Sequence, residues 1–184
     1  MIELLKQTDA LLEGHFLLSS GKHSNRYVQC ARILRYPDKA DAILKPVAEK
    51  LKEMKIDLLV GPAMGGILVA YELGRQLGIE AIFTERVDNI MALRRGFEVS
   101  EGMNIVICED VVTTGKSSME VKALLESMGA KVIAIASIID RTNEELELPL
   151  ISSLRVEIDT FDADDCPLCK QGTPVVKPGS RKMD

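Results

Sequence analysis

Ile105-Val106-Ile107-Cys108-Glu109-Asp110-Val111-Val112-Thr113-Thr114-Gly115-Lys116-Ser117 passes from an apolar run to two adjacent acids, then to a short turn of hydroxyls and glycine. An apolar run without polar alternation marks a strand buried on both faces, the habit of parallel sheets. Residues 117–128 then carry the amphipathic spacing of a helix, closed by Gly129. Where a strand runs directly into a helix, N–H groups of the turn and of the first helical residues converge, and the helix dipole favours an anion there. Thr113, Thr114 and Ser117 can add hydroxyl donors, and Gly115 lets the backbone come close. Glu109 and Asp110 fall at the carboxyl end of the strand, where open α/β sheets hold their ligands.

Two plainer readings compete. A capping hydroxyl at a strand-to-helix turn accounts for one of these side chains, but not for two carboxylates beside a phosphate-sized cradle. A Walker-type loop also ends Gly-Lys-Ser, yet it needs a glycine five residues before Gly115, where Asp110 stands.

The flanking segments extend the same alternation. Residues 131–139 form a near-continuous apolar strand ending in Asp140-Arg141, and residues 56–60 form another, stopped by Gly61-Pro62. Helical spacing recurs at residues 66–77 and at 37–54, where Ala42, Ile43, Val47, Ala48 and Leu51 share a face. Residues 81–83 predict a further strand. Residues 2–12 predict a helix ended by Gly14, and residues 19–25 a polar turn. Residues 84–102 are charged and weakly periodic, predicting a long loop or a two-stranded excursion. Strands alternating with helices predict an α/β fold with a central parallel sheet flanked by helices on both faces. From residue 160 the chain is rich in Asp, Pro, Gly and Lys and predicts an irregular cap.

At 184 residues the chain fits one domain, with 46% hydrophobic and 28% charged residues, proportions ordinary for a soluble protein. No apolar run reaches membrane-spanning length, and residues 1–6 include an early acid rather than a secretory signal, so a cytoplasmic protein is expected. A net charge of −5 argues against general nucleic-acid binding. Cys30 and Cys108 sit in apolar stretches as small core residues. Cys166 and Cys169 have the spacing of half a zinc site or of a redox pair. A zinc site needs about four ligands and no second such pair exists, so a tail turn is the plainer reading. His15 and His23 lie in a polar stretch and predict solvated side chains.

Residues 105–117 resemble the signature of the type I phosphoribosyltransferases, which bind phosphoribosyl pyrophosphate. The resemblance implies that Glu109 and Asp110 hold the ribose hydroxyls, while Val112, Thr113, Thr114, Gly115, Lys116 and Ser117 form the 5′-phosphate cradle and Val111 also lies against phosphoribosyl pyrophosphate. Residues 63–66, after an apolar strand and before a helix, then correspond to the loop facing pyrophosphate; taken alone they make a tight turn.

Three segments resemble the orotate-using members of the family more narrowly. The charged excursion is similar to their flexible catalytic loop, which closes over the site and reaches the neighbouring subunit of a homodimer. Arg86 matches its basic position after the strand. Residues 87–93 lack the lysine often found there, which leaves Arg86, Arg94 or Arg95 to neutralise pyrophosphate. Phe16, Ser20-Gly21, Ser24 and Tyr27 match the orotate-binding hood motif; Ser19 stands where some members carry lysine, so that contact is lost or moved to Lys22. Arg141 and Thr113 match residues that contact orotate, and a planar guanidinium suits a carboxylate or ring carbonyl. A strand-end ion pair of Arg141 with Asp140 or Glu144 is the alternative.

The resemblance as a whole implies a single domain over residues 1–184. Its core covers about 37–141, and a small hood is built from about 1–36 and 142–184. The implied reaction of pyrimidine synthesis joins orotate to phosphoribosyl pyrophosphate, with Asp110 and Arg86 as catalytic residues. Mg²⁺ would bind through the substrate and water rather than directly to the protein. A sister enzyme using a purine or another pyrimidine, and a non-catalytic regulator, are the competing readings. The hood motif and Arg141 oppose the first, and the acidic charge opposes the second.

Overall fold

The computed structural model describes residues 1–18 and 20–178; Ser19, the position that some relatives fill with lysine, and residues 179–184 lie outside the described residues. In chain order the elements are α1 (Ile2–Gln7), β1 (Leu11–Leu17), β2 (His23–Val28), α2 (Ala31–Leu34), α3 (Pro37–Leu51), β3 (Leu58–Pro62), α4 (Gly65–Leu77) and β4 (Ala81–Val87). There follow β5 (Ile90–Leu93), β6 (Asn104–Val112), α5 (Lys116–Ser127), β7 (Lys131–Asp140), β8 (Leu150–Arg155), β9 (Thr160–Phe161) and α6 (Pro167–Lys170).

The main sheet runs β5-β4-β3-β6-β7-β8, parallel throughout except for β5, which returns antiparallel on β4. Alternate side chains of its strands enter two different cores. Leu59, Val106, Cys108, Ala134 and Ala136 meet Ile43, Leu44, Val47, Val69 and Leu73 of α3 and α4. Leu58, Val60, Ile105, Ile107 and Val132 meet Val121 and Leu125 of α5 on the other face. This explains the absence of polar alternation in β6 and β7: both faces are covered. Each fully buried Ile or Leu stabilises the fold by roughly 1.5–3 kcal/mol. The expected α/β class is what the chain adopts.

Two elements depart from the sequence expectation. The helix expected over residues 2–12 stops at Gln7, where the Thr8 hydroxyl donates to Leu4 O (2.9 Å) and Asp9 takes a left-handed φ of 52°. Leu11 and Leu12 instead begin β1, which pairs antiparallel with β2, and Gly14 lies inside the strand rather than ending a helix. The Phe16 ring lies over Gly14, at 3.1 Å from where a Cβ would sit. Second, β8 was expected within the hood's C-terminal part, but it joins the main sheet beside β7.

The hood sheet is β1-β2-β9, and Phe16 also bridges to Val176. Here the expectation for the histidines is corrected: His15 is 3% and His23 8% exposed. Antiparallel pairing of β1 with β2 turns both inward, and their rings meet edge-on at 4.7 Å.

Candidate active site

β6 runs through the two acids before it ends at Val112, so Glu109 and Asp110 project from the last four residues of a central strand. Glu109 is buried; its Oε1 accepts hydrogen bonds from the Ser117 hydroxyl (2.7 Å) and the Ser118 hydroxyl (3.3 Å). Burial, reinforced by the neighbouring Asp110 charge, pushes Glu109 up to about 7 against the pull of those hydroxyls. Asp110 is also raised, chiefly by burial, although its Oδ1 accepts the Val111 N–H at 2.9 Å.

Residues 113–115 make the turn into α5. Gly115 occupies the N-cap at φ 69°, a left-handed conformation that costs glycine little. The Lys116 N–H reaches the Thr114 hydroxyl at 3.4 Å. The leading N–H groups of α5 have no partner within the helix, and they open on a small cavity lined by Glu109 and by Val111 through Ser118. Every residue expected to cradle the phosphate lines it, and Asp110 lies between Glu109 and Val111 on the same strand end.

The loop at residues 63–66 approaches from the adjacent strand β3. Gly65 passes so close that a Cβ there would stand 2.5 Å from Asp110 Cγ, and one on Gly66 would stand 2.4 Å from Cys108 O. Gly65 thus brings the loop's backbone against Asp110, and Gly66 brings it against the β6 backbone at Cys108.

Arg141 follows β7, and its N–H donates to Val112 O at 2.8 Å, tying it to the cradle. Its guanidinium is half-buried, with burial lowering its pKa and the neighbouring Tyr27 raising it. Thr113, Thr114 and Arg141 line one cavity of about 320 Å³ with Asn143, Glu144, Glu145 and Leu146. A second cavity joins Arg141 to residues 155–160 of the hood connection. The strand-end ion pair does not form among the described residues. Asp140 instead accepts from Thr142 (2.8 Å) and pairs with Arg155 (3.4 Å), and the buried Arg141 Nε has no protein partner. An unpartnered buried donor beside a cavity is set to meet a ligand acceptor.

Other expected residues are placed apart. Ser20 and Gly21 form the tip of the β1–β2 hairpin, with Gly21 N–H on Leu18 O (3.0 Å), and they do not line the Arg141 cavities. The rest of the hood motif converges better: Phe16 and Tyr27 pack at 5.9 Å, and Ser24 fastens β2 to Asp159 O at 2.9 Å. Arg86 lies on the β4–β5 hairpin, bonded to Asn89 O (2.8 Å) and ion-paired with Glu120, one helical turn beyond Ser117. Gly65 lies in the loop that the sequence singled out at residues 63–66; what the sequence did not show is its fit against the Asp110 carboxyl.

Comparison with known proteins follows the same lines. Residues 31–161 match the family model of the phosphoribosyl transferase domain. The orotate phosphoribosyltransferase of Caldanaerobacter subterraneus subsp. tengcongensis is 48% identical over 185 residues, spanning 100% of this chain and 97% of that protein. The crystal structure of orotate phosphoribosyltransferase from Aeropyrum pernix aligns with a TM-score of 0.71 at 24% identity, over 84% of this chain and 92% of that one. An adenine phosphoribosyltransferase from Thermoanaerobacter pseudethanolicus aligns with a TM-score of 0.61 at 21% identity, over 71% and 88%. The shared fold thus carries enzymes named for different bases and does not choose among them. The full-length similarity does: this chain belongs to the orotate phosphoribosyltransferase family.

Proposed function

We infer that this chain transfers the 5-phosphoribosyl group of phosphoribosyl pyrophosphate to orotate, in pyrimidine biosynthesis. The bond from the anomeric carbon to pyrophosphate oxygen breaks, and a bond from that carbon to an orotate ring nitrogen forms. The observation that carries the reading is the convergence of three parts on one strand edge: the acid pair, the α5 cradle, and a cavity holding both Thr113 and Arg141.

The cradle holds the 5′-phosphate at the positive end of α5. Glu109 and Asp110 accept from the ribose hydroxyls and place negative charge beneath a ring that becomes positive as pyrophosphate departs. Backbone of residues 63–66 faces the leaving group. Arg141 takes the orotate carboxylate or ring carbonyl, and Thr113 a neighbouring acceptor. Catalysis by these groups is positioning and electrostatic stabilisation, with no covalent intermediate.

Mg²⁺ belongs to the same proposal. The oxygen-only donors beside the cradle fit a hard cation, and with two carboxylates committed to ribose it would be held through substrate and water. Such an ion supplies charge neutralisation to the pyrophosphate. Arginines of the β4–β5 hairpin do the same from the protein side when the hairpin closes. A homodimer is also proposed: Met64, Leu68 and Tyr71 are 83%, 47% and 69% exposed, at i, i+4 and i+7 spacing from the loop at 63–66 along α4.

The test is the loss of orotate absorbance on mixing protein, orotate, phosphoribosyl pyrophosphate and Mg²⁺. The decrease should need all of them and vanish with Asp110→Asn. Arg141→Ala should lower kcat/KM for orotate by about ten- to hundredfold, the value of a hydrogen bond to a charged group. Turnover of a purine or uracil in place of orotate would overturn the acceptor assignment.

A further inference from the structure

Four soft-donor side chains meet at one point of the hood, outside the site described above. His15, His23, Cys166 and Cys169 each offer one ligand atom, a ring nitrogen or a sulfur, and these four atoms lie within 4.8 Å of one another. The sulfur of Cys166 is 3.5 Å from His15 Nε2; that of Cys169 is 3.8 Å from His15 Nε2 and 3.3 Å from His23 Nδ1. A tetrahedron with Zn–N and Zn–S bonds of ordinary length puts its ligand atoms about 3.3–3.8 Å apart. The three nitrogen–sulfur distances fall in that range, while the two nitrogens, at 2.8 Å, need to part by a fraction of an ångström.

The surroundings are those of a built site. His15 and His23 are buried, and Cys166 is 1% exposed. His15 Nδ1 lies 2.7 Å from Thr173 O, which fixes the proton on that nitrogen and turns the Nε2 lone pair inward. An outer carbonyl of this kind commonly orients a metal-bound histidine. Cys166 caps α6 and Cys169 lies in its single turn, so Pro167 and Leu168 present both sulfurs on one side. A hydrogen-bonded cluster alone is a weak account of this convergence, because thiols are poor donors and poor acceptors.

We propose that His15, His23, Cys166 and Cys169 form a structural Cys₂His₂ zinc site that staples the C-terminal segment onto the hood sheet. Binding displaces two thiol protons to solvent, and two thiolates then balance the charge of Zn²⁺. Four protein ligands leave no open position, so the site is structural and takes no part in the transfer reaction. The hood needs such a staple. β9 contributes only two paired residues to β2, and the later chain is held through Val176, whose N–H bonds His15 O and whose O accepts from Leu17 N–H. The segment fastened here continues from residues 155–160, which line the cavity beside Arg141, so the metal would hold that wall in place.

Untagged full-length protein, purified without chelator, should carry about one zinc per chain by elemental analysis. After zinc removal, titration with Co²⁺ should give the intense visible bands of tetrahedral coordination and a thiolate charge-transfer band, saturating at one equivalent. Cys169→Ser, at an exposed position, should cut the charge-transfer absorbance per cobalt to about half, one thiolate in place of two. Lys170→Ala, which leaves every ligand in place, should keep it whole. Weak octahedral spectra from the wild-type protein would overturn the proposal, as would an intact mass short by two hydrogens, which marks a Cys166–Cys169 disulfide. Because these readouts ignore turnover, they stand or fall separately from the transferase reading.

Discussion

Glu109 illustrates how far one carboxylate is held from its ordinary behaviour. Burial lifts it to about 7, so between its ordinary value near 4.5 and 7 the folded chain keeps a proton that the unfolded chain has released. Stability from this group is therefore greatest at low pH and declines as pH rises through that window, levelling above 7. Glu109→Gln removes the titration. Its denaturation free energy relative to wild type should climb from pH 5 to pH 8 by at most about 3 kcal/mol, at about 1.4 kcal/mol for each pH unit of displacement. Parallel wild-type and variant stability curves would sink the assignment. The same carboxylate, once charged, is the better acceptor for ribose hydroxyls. Wild-type kcat/KM for the donor should thus rise with pH near neutrality, through an inflection belonging to the Glu109–Asp110 pair, and the variant should lose it. Gly65 tests the partner acid. A methyl group there would press on the movable Asp110 carboxyl rather than on backbone. Gly65→Ala should consequently leave the melting temperature within a few degrees of wild type while raising KM for phosphoribosyl pyrophosphate about tenfold or more.

The β4–β5 hairpin is the element whose behaviour should respond to substrate. Its turn at Asp88 and Asn89 takes φ of 49° and 63°, the pair of left-handed residues that closes a tight hairpin. Glu85 meets Arg95 at 3.1 Å and Arg94 at 3.8 Å, and Arg86 pairs with Glu120, so its arginines are parked on neighbouring acids. Exposed pairs of this kind contribute about 0–1 kcal/mol each, little enough for a pyrophosphate to displace them. Tryptic cleavage after Arg86, Arg94 or Arg95 should slow severalfold when phosphoribosyl pyrophosphate and Mg²⁺ are present; unchanged cleavage would mean the hairpin does not close. The same hairpin shows what could be read in advance. Strands β6 and β7 were legible because burial on both faces leaves a continuous apolar run, and the excursion was legible as two strands or a loop because charge breaks that run. β1 was not, since Leu11 and Leu12 suit a helix locally and become strand only by pairing with β2, 23–28 in sequence. β8 was missed because none of its residues is fully buried, as befits an edge strand. The two acids at the end of β6 and the turn that lines the cavity beside them were legible because they are consecutive. The His–Cys cluster was not, because residues 15 and 166 meet only through the closing of the hood.

For the whole molecule, the question is where the arginines of the hairpin act. Met64, Leu68 and Tyr71 project from the start of α4, beside the loop at 63–66 that touches Asp110. In the proposed homodimer, two-fold pairing through that stripe would bury the same residues on both copies and set each copy next to the other's loop at 63–66. A hairpin whose arginines rest on their own subunit's acids in this structure could then serve the neighbouring site. Mixed dimers decide between the two arrangements. One parent carries Asp110→Asn, which disables its own site; the other carries Arg86→Ala, Arg94→Ala and Arg95→Ala, which disables its hairpin. After denaturation and joint refolding in equal amounts, half of the dimers combine one of each. If the hairpin works across the interface, every mixed dimer regains one complete site, so about a quarter of all sites recover wild-type turnover. If the hairpin serves its own subunit, no mixed dimer has a complete site and activity stays at the sum of the two parents. A stripe variant, Leu68→Glu with Tyr71→Glu, should sediment as monomer and lose the recovered activity with it. A monomeric wild type, or a dimer indifferent to the stripe, would place the contact elsewhere and remove the reason for hairpin exchange.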